Sequence, residues 1–149
     1  MEGTGTTAGA AAYDGRTGLE LLPPAECWRL LAATRVGRVG LVVDGEPVIL
    51  PVNHVVHERT VVFRTAGGTK LATMTSWPTV AYEADGTEGE GLGWSVLVSG
   101  RAERLTESAD IRAVEALGLQ PWAPGPKLQW VRIVPRRVTG RRLPRHGTA

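Results

Sequence analysis

The sequence predicts a mainly β protein, an antiparallel sheet or barrel with two or three small flanking helices. Short β-rich runs recur along the chain, and a tight-turn dipeptide, Asp44-Gly45, joins two of them. The helical patches are too few and too short for the regular strand-helix alternation of a parallel sheet. A length of 149 residues fits one domain, since independent domains run to roughly 100 to 200 residues.

Residues 1–18 are rich in Gly, Ala and Thr and lack both apolar periodicity and a basic start followed by an apolar stretch. They read as a disordered lead rather than a secretory signal. The folded domain is expected over residues 19–143, with a frayed tail over 144–149. Pro23 and Pro24, followed by Ala25, Glu26, Cys27, Trp28, Arg29, Leu30 and Leu31, predict a short helix, because Pro suits a first turn and an acid suits its positive end. From Val36 the period becomes strand-like, with residues 40–43 and 48–50 flanking the Asp44-Gly45 turn and residues 60–65 giving a third strand. A short helix over 69–76 stops ahead of Pro78, and a fourth strand follows over 79–84. Residues 85–93 read as a loop and 94–105 as a long fifth strand. Thr106 precedes a helix spaced by Ile111, Val114 and Leu117 that closes at Gly118. Two last strands, 127–134 and 137–143, are expected on either side of Pro135.

Seventeen basic residues stand against 15 acidic ones, and the last acid is Glu115. The basic character therefore belongs to the C-terminal end, which could meet an anion of any kind. Nucleic acid is not the expected partner, because the run from Arg136 to Arg142 alternates like a strand and lacks interleaved aromatics. A single cysteine, Cys27, cannot form an internal disulfide and points to a reducing compartment. No apolar run approaches the ~18 residues of a spanning helix, so no membrane partner is expected and cytoplasmic residence follows by default.

The stretch Phe63-Arg64-Thr65-Ala66-Gly67-Gly68-Thr69-Lys70-Leu71 carries the most chemical information. A strand runs into a Gly-Gly turn and a helix start, where backbone N–H groups, the helix end, two hydroxyls and two full cations could converge on a phosphate. An ordinary strand-to-helix turn with solvated cations accounts for the spacing equally well. The Gly-Lys-Ser/Thr ending of a Walker loop is absent. Gly89-Glu90-Gly91-Leu92-Gly93 precedes a strand instead of following one, which argues for a flexible loop rather than a dinucleotide fingerprint. His54 and His57 fall on opposite sides of a strand and could not readily share a metal. Ser76, Ser95, Ser99 and Ser108 lack a recognisable base partner, and Cys27 sits where packing is its expected role. Of five tryptophans, Trp94 and Trp130 are the two weighed as possible ring-stacking groups and the others as core or interface anchors.

The order of these pieces resembles the pyridoxamine 5′-phosphate oxidase-like, FMN-binding split-barrel family, in its small actinobacterial branch. The resemblance covers about residues 19–143. It is carried by Gly37-Arg38-Val39-Gly40, Leu50-Pro51-Val52-Asn53, Phe63-Arg64-Thr65, Gly68-Thr69-Lys70-Leu71, Trp94 through Ala102, and Val131-Arg132-Ile133 through Arg142. It implies a six-stranded antiparallel split β-barrel that works as a homodimer with cofactor at the interface. It further implies that Pro51, Val52 and Asn53 run beside the isoalloxazine ring, that Arg64, Thr65, Thr69 and Lys70 hold the 5′-phosphate, and that Trp94 and Ser95 reach the cofactor from the other subunit. The implied activity is hydride transfer on an unidentified small molecule with FMN as cofactor. The family also contains deazaflavin F420-dependent reductases and non-catalytic flavin or haem binders, and both remain alternatives. The substrate-phosphate signature of the oxidase branch is missing, which argues against vitamin B6 oxidation itself. No catalytic acid or base and no metal ligand is assigned.

Overall fold

The computed structural model describes residues 10–76, 79–89, 91–119 and 129–143. In chain order its elements are β1 (Ala12–Tyr13), β2 (Glu20–Leu22), α1 (Pro24–Ala32), β3 (Val36–Val43), β4 (Glu46–Asn53), β5 (Val55–His57), β6 (Thr60–Thr65), α2 (Thr69–Ser76), β7 (Val80–Glu88), β8 (Leu92–Arg104), α3 (Ser108–Glu115) and β9 (Gln129–Leu143).

Helix α1 begins where Pro23 and Pro24 supply pre-set φ, and it buries Cys27, Trp28, Leu30 and Leu31. Its C-terminal end faces the start of a closed circuit of antiparallel pairings. β3 pairs with β4 through a turn whose Asp44 and Gly45 both have positive φ, 51° and 79°, as the hairpin turn expected there requires. β4 leads through one residue, His54, into β5, which pairs with β6. β6 pairs with β9, β9 with β8, β8 with β7, and β7 returns to β3. The circuit is six-stranded only if β4 and β5 count as one strand bent at His54. Among the described residues the sheet has nine strands, because the bend divides that strand and β1 and β2 add a flap on the outer edge of β9.

Inward positions fill the barrel: Val39 and Leu41 of β3, Val61 and Phe63 of β6, Tyr82 and Ala84 of β7, Val96 and Val98 of β8, and Val131 and Ile133 of β9. The intervening positions form the outer face, the alternation expected of a pleat with one buried side. A second, smaller cluster under α3 joins Val62, Leu105, Val114, Leu119 and Trp130.

Four expectations need correction. Residues 12–18, placed in a disordered lead, include β1, and Asp14 accepts hydrogen bonds from the backbone of Arg16 and Thr17 while pairing with Arg141. Residues 85–88, expected as loop, continue β7, because a paired neighbour on β8 satisfies their backbone. Pro135 does not split the last strand: it lies opposite Gly100 at a register shift, where a residue without N–H is tolerated. The six-strand count divides at His54 as described. The expected tail over 144–149 and the start of the expected strand at Lys127 lie outside the described residues, as do Trp77 and Trp122.

The bend is held by buried polar contacts. His54 Nε2 donates to the carbonyl of Leu31 at 2.8 Å, which fixes the tautomer and leaves Nδ1 to accept from the Tyr82 hydroxyl. Burial holds the imidazole below its ordinary pKa and pushes the Tyr82 hydroxyl well above its own, so both are neutral. Tyr82 reaches His54 across the space left by Gly37, where a Cβ would overlap the hydroxyl. Gly37→Ala should therefore destabilise the protein by about 1–3 kcal/mol. At Gly40 a new Cβ meets only Ala81, its Cβ at 3.7 Å and its carbonyl oxygen at 3.9 Å, both ordinary contacts, so Gly40→Ala should stay within about 0.5 kcal/mol of the parent. Urea unfolding of the two variants checks the contrast, and equal midpoints would remove Tyr82 as the reason for Gly37.

Candidate functional site

The bend at His54 opens the barrel. Val55 lies opposite Val62, and continuing that register by two residues would bring Asn53 opposite Arg64. The ladder stops before reaching them, so Asn53 and Arg64 stand on the two lips of a gap in the pairing between β4 and β6. Arg64 keeps the outward direction of Val62 and lays its guanidinium over the ring of Trp130, its partner on β9, with Cζ 4.7 Å from the ring centroid. Among the described side chains, two buried polar atoms lack a hydrogen-bond partner, and they are Asn53 Oδ1 and Arg64 Nε. An unmet buried polar group costs about 1–3 kcal/mol, so both lips carry a deficit that a polar ligand can relieve.

The other expected residues fall around this opening. Pro51 is exposed, and Val52 turns inward to pack on the core. Thr65 ends β6 and directs its hydroxyl to the carbonyl of Ala66 at 3.3 Å. Gly68, with φ 130°, leads into α2, whose first turn is Thr69 and Lys70. The side chains of Thr69 and Lys70 lie outside what is described. Trp94 is not on the outer face: its indole is buried in its own barrel against Gly86, leaving 4% exposed. Of the pair expected to reach across an interface, only Ser95 stands on the outer face, opposite Asp85 and Arg141.

That face carries a group of side chains which the sequence did not single out. Pro51 lies opposite Arg38, Arg38 opposite Glu83, and Asp85 opposite Ser95, so Arg38, Glu83 and Asp85 fill the two strands between Pro51 and Ser95. Arg38 Nη1 donates to Glu83 Oε2 at 3.1 Å and to Asp85 Oδ2 at 3.2 Å. Burial, together with the neighbouring Asp85 carboxylate, pushes Glu83 up to about 7 in spite of Arg38. The only sequence signal was the alternation Glu83-Ala84-Asp85, which shows that the two acids share a face but not what lies beside them.

A cavity of about 340 Å³ opens beside Asn53 and His54 and is lined also by Thr34, Arg35 and Leu117. A larger cleft of about 760 Å³ lies between the β3–β4 turn and α2, lined by residues such as Leu41, Val48 and Met74. Among the described side chains none of the expected site residues lines that cleft, so size alone does not identify the site. Among the described residues no three His, Cys, Asp or Glu side chains lie together as metal ligands.

Among the described residues of the basic end, three arginines are engaged internally. Arg142 pairs with Glu20, Glu26 and Glu88, Arg141 with Asp14, and Arg132 with Glu103 and Asp110.

The sequence model described as pyridoxamine 5′-phosphate oxidase matches residues 23–142. The chain belongs to that family. An uncharacterized protein of Mycobacterium tuberculosis, Rv3129, is 44% identical over 86 residues, covering 58% of this chain and 77% of its own length. Among solved structures, the FAD-binding protein from Mycobacterium smegmatis shares 42% identity with a TM-score of 0.72, covering 83% of this chain and 99% of that one. A FAD-binding protein from Mesorhizobium loti shares 27% identity with a TM-score of 0.70, over 85% of this chain and 99% of that one. Among the described residues no helix is long and apolar enough to cross a membrane.

The two unmet atoms generate a stability prediction. Asn53→Leu removes an unpartnered acceptor and substitutes apolar volume, so the ligand-free protein should gain roughly 1 kcal/mol. Thermal melts of stripped protein measure this, and a destabilised variant would show that Asn53 already has a partner.

Proposed function

We propose that the chain is a flavin-binding oxidoreductase of the pyridoxamine 5′-phosphate oxidase family, holding the FMN unit, alone or as part of FAD, at the opening between β4 and β6 of a homodimer. The observation that carries the reading is the coincidence of the two unmet buried atoms with Asn53 and Arg64, two residues that resemblance assigns to the ring and the phosphate. Arg64 supplies a planar fork already stacked on Trp130, suited to a phosphate that lies near the first turn of α2, where backbone N–H groups and Lys70 add positive charge. Asn53 offers an amide to the polar edge of a heterocycle, and Pro51 a flat apolar surface beside it. The two relatives named as FAD-binding support a flavin with its phosphate retained.

When bound, a flavin accepts and donates hydride, so the protein is left to bind, orient and exclude water. The small molecule that exchanges hydride would approach the exposed side of the ring. The homodimer is supported by unpartnered apolar side chains on the outer face, Val42, Ile49 and Leu97, which are 59%, 71% and 40% exposed. A second copy laid on that face covers them and encloses the ring.

Absorbance of the purified protein, with mass spectrometry of what it releases on denaturation, tests the cofactor directly and separates FMN, FAD, F420 and haem. Lys70→Ala should lower FMN affinity roughly 10- to 150-fold, since a charge-assisted contact contributes about 1.5–3 kcal/mol. Riboflavin, which has no phosphate, should be nearly indifferent to the change. Arg64→Ala should act in the same direction, and the two changes should combine non-additively because they share one anion. Equal losses of FMN and riboflavin in Lys70→Ala would place the phosphate elsewhere. Light scattering at micromolar concentration should return twice the 15.9 kDa chain mass, and a clean monomer counts against the shared site.

A further inference from the structure

We propose that Arg38, Glu83 and Asp85 belong to the same site as a proton-holding cluster, set beside the ring that lies along Pro51 and Asn53, and that the cluster takes up one proton when that ring is reduced. The inference rests on the flavin reading and adds to it an acid-base group of side chains to which the family resemblance assigns no role. Two independent features meet here. One is the register, which puts Arg38 next to Pro51 on the outer face and the two carboxylates on the next strand, each within hydrogen-bond reach of Arg38. The other is the unmet Oδ1 of Asn53, two residues along β4 from Pro51, which marks the same tract as one that receives a polar ligand.

The charges around the cluster are few. β4 contributes Pro51, β8 contributes Ser95 and Leu97, and beyond them on β9 Arg141 is turned to Asp14 while Arg137 stands opposite Ser99. With both carboxylates ionised the triad carries −1, and with one proton shared it is neutral. Burial and the Asp85 charge place that exchange near neutral pH. Two-electron reduction would leave a bound ring with one added negative charge, whether it arrives as hydride from a donor or as two electrons plus one solvent proton when dithionite is used. A cluster at −1 opposes that charge, whereas a neutral one does not. The balance is completed by one solvent proton taken onto the Glu83–Asp85 pair, which moves the cluster from −1 to 0. The two electrons come from the physiological hydride donor, or from dithionite in the test.

The experiment is the midpoint potential of the flavin-loaded protein from about pH 5.5 to 8.5, titrated with dithionite against a reference dye. In the parent, the pH dependence should steepen by one proton per electron pair from near pH 7 upward, because reduction raises the proton affinity of the pair. Glu83→Gln should lose that break while keeping flavin and fold. Asp85→Asn removes the like charge that holds Glu83 up, so its break should move to lower pH instead of vanishing. Superimposable curves for the parent and both variants overturn the inference and leave the flavin reading intact. A preparation that retains no flavin, as purified or after reconstitution, overturns both. Should Glu83→Gln fail to fold, the shift in Asp85→Asn decides alone, and an unmoved break there counts against the proposal.

Discussion

A neutral imidazole at a strand corner governs this protein. His54 sits where one strand stops serving β3 and begins serving β6, and its two ring nitrogens are committed in opposite directions, one to the end of α1 and the other to Tyr82 in the barrel wall. Leu31, His54 and Tyr82 are thereby tied into one neutral hydrogen-bonded chain. The backbone N–H of His54 also donates to the carbonyl of Arg35 at 2.9 Å, so the corner residue breaks its ladder without leaving an unmet backbone donor. Because the corner is fixed, pairing with β6 begins only at Val55, and the gap in the ladder between Asn53 and Arg64 follows from the bend. Site and fold therefore share one cause.

The uneven charge along the chain has a second structural outcome. Acids concentrated before residue 116 and cations concentrated after it become cross-strand partners once β9 lies among β2, β6 and β8. Arg142 joins Glu20, Glu26 and Glu88, and Arg29 links the last two again. Exposed pairs of this kind contribute little singly, about 0–1 kcal/mol. Here they share arginines and anchor a flap whose strands are only two and three residues long. What reads in the sequence as a basic end is, at Arg132, Arg141 and Arg142, the complement of the chain's own acids.

Local chemistry made much of the fold legible. Pro23-Pro24 marks the start of α1 and Asp44-Gly45 the first hairpin, each through a constraint that acts within a few residues, whereas α3 ends at Glu115, three residues before the expected stop at Gly118. The failures lie where pairing partners decide. Residues 85–88 are polar enough to read as loop, yet Trp94 packs on Gly86 and the register with β8 continues. Pro135 reads as a breaker until the register shift opposite it is known. The site divides in the same way. Arg64 and Asn53 came from a run of neighbours and a family likeness, whereas Arg38, Glu83 and Asp85 are joined only by the pairing of two strands, β3 and β7. Whether Trp94 faces inward or outward depends on a register that one strand alone does not reveal.

The length of β9 also sets the order in which the molecule can come together. It pairs with β2, β6 and β8 at once, so during synthesis the barrel wall cannot close until residues 129–143 have left the ribosome. Before then the inner faces of β6 and β8, carrying Phe63, Val96 and Val98, have no lateral cover between them. Closure must also draw together segments separated by most of the chain, and the entropy of those long loops is lost before the contacts repay it. Such a topology folds slowly for its size and leaves sticky strand edges waiting on the nascent chain, where chaperone holdases bind.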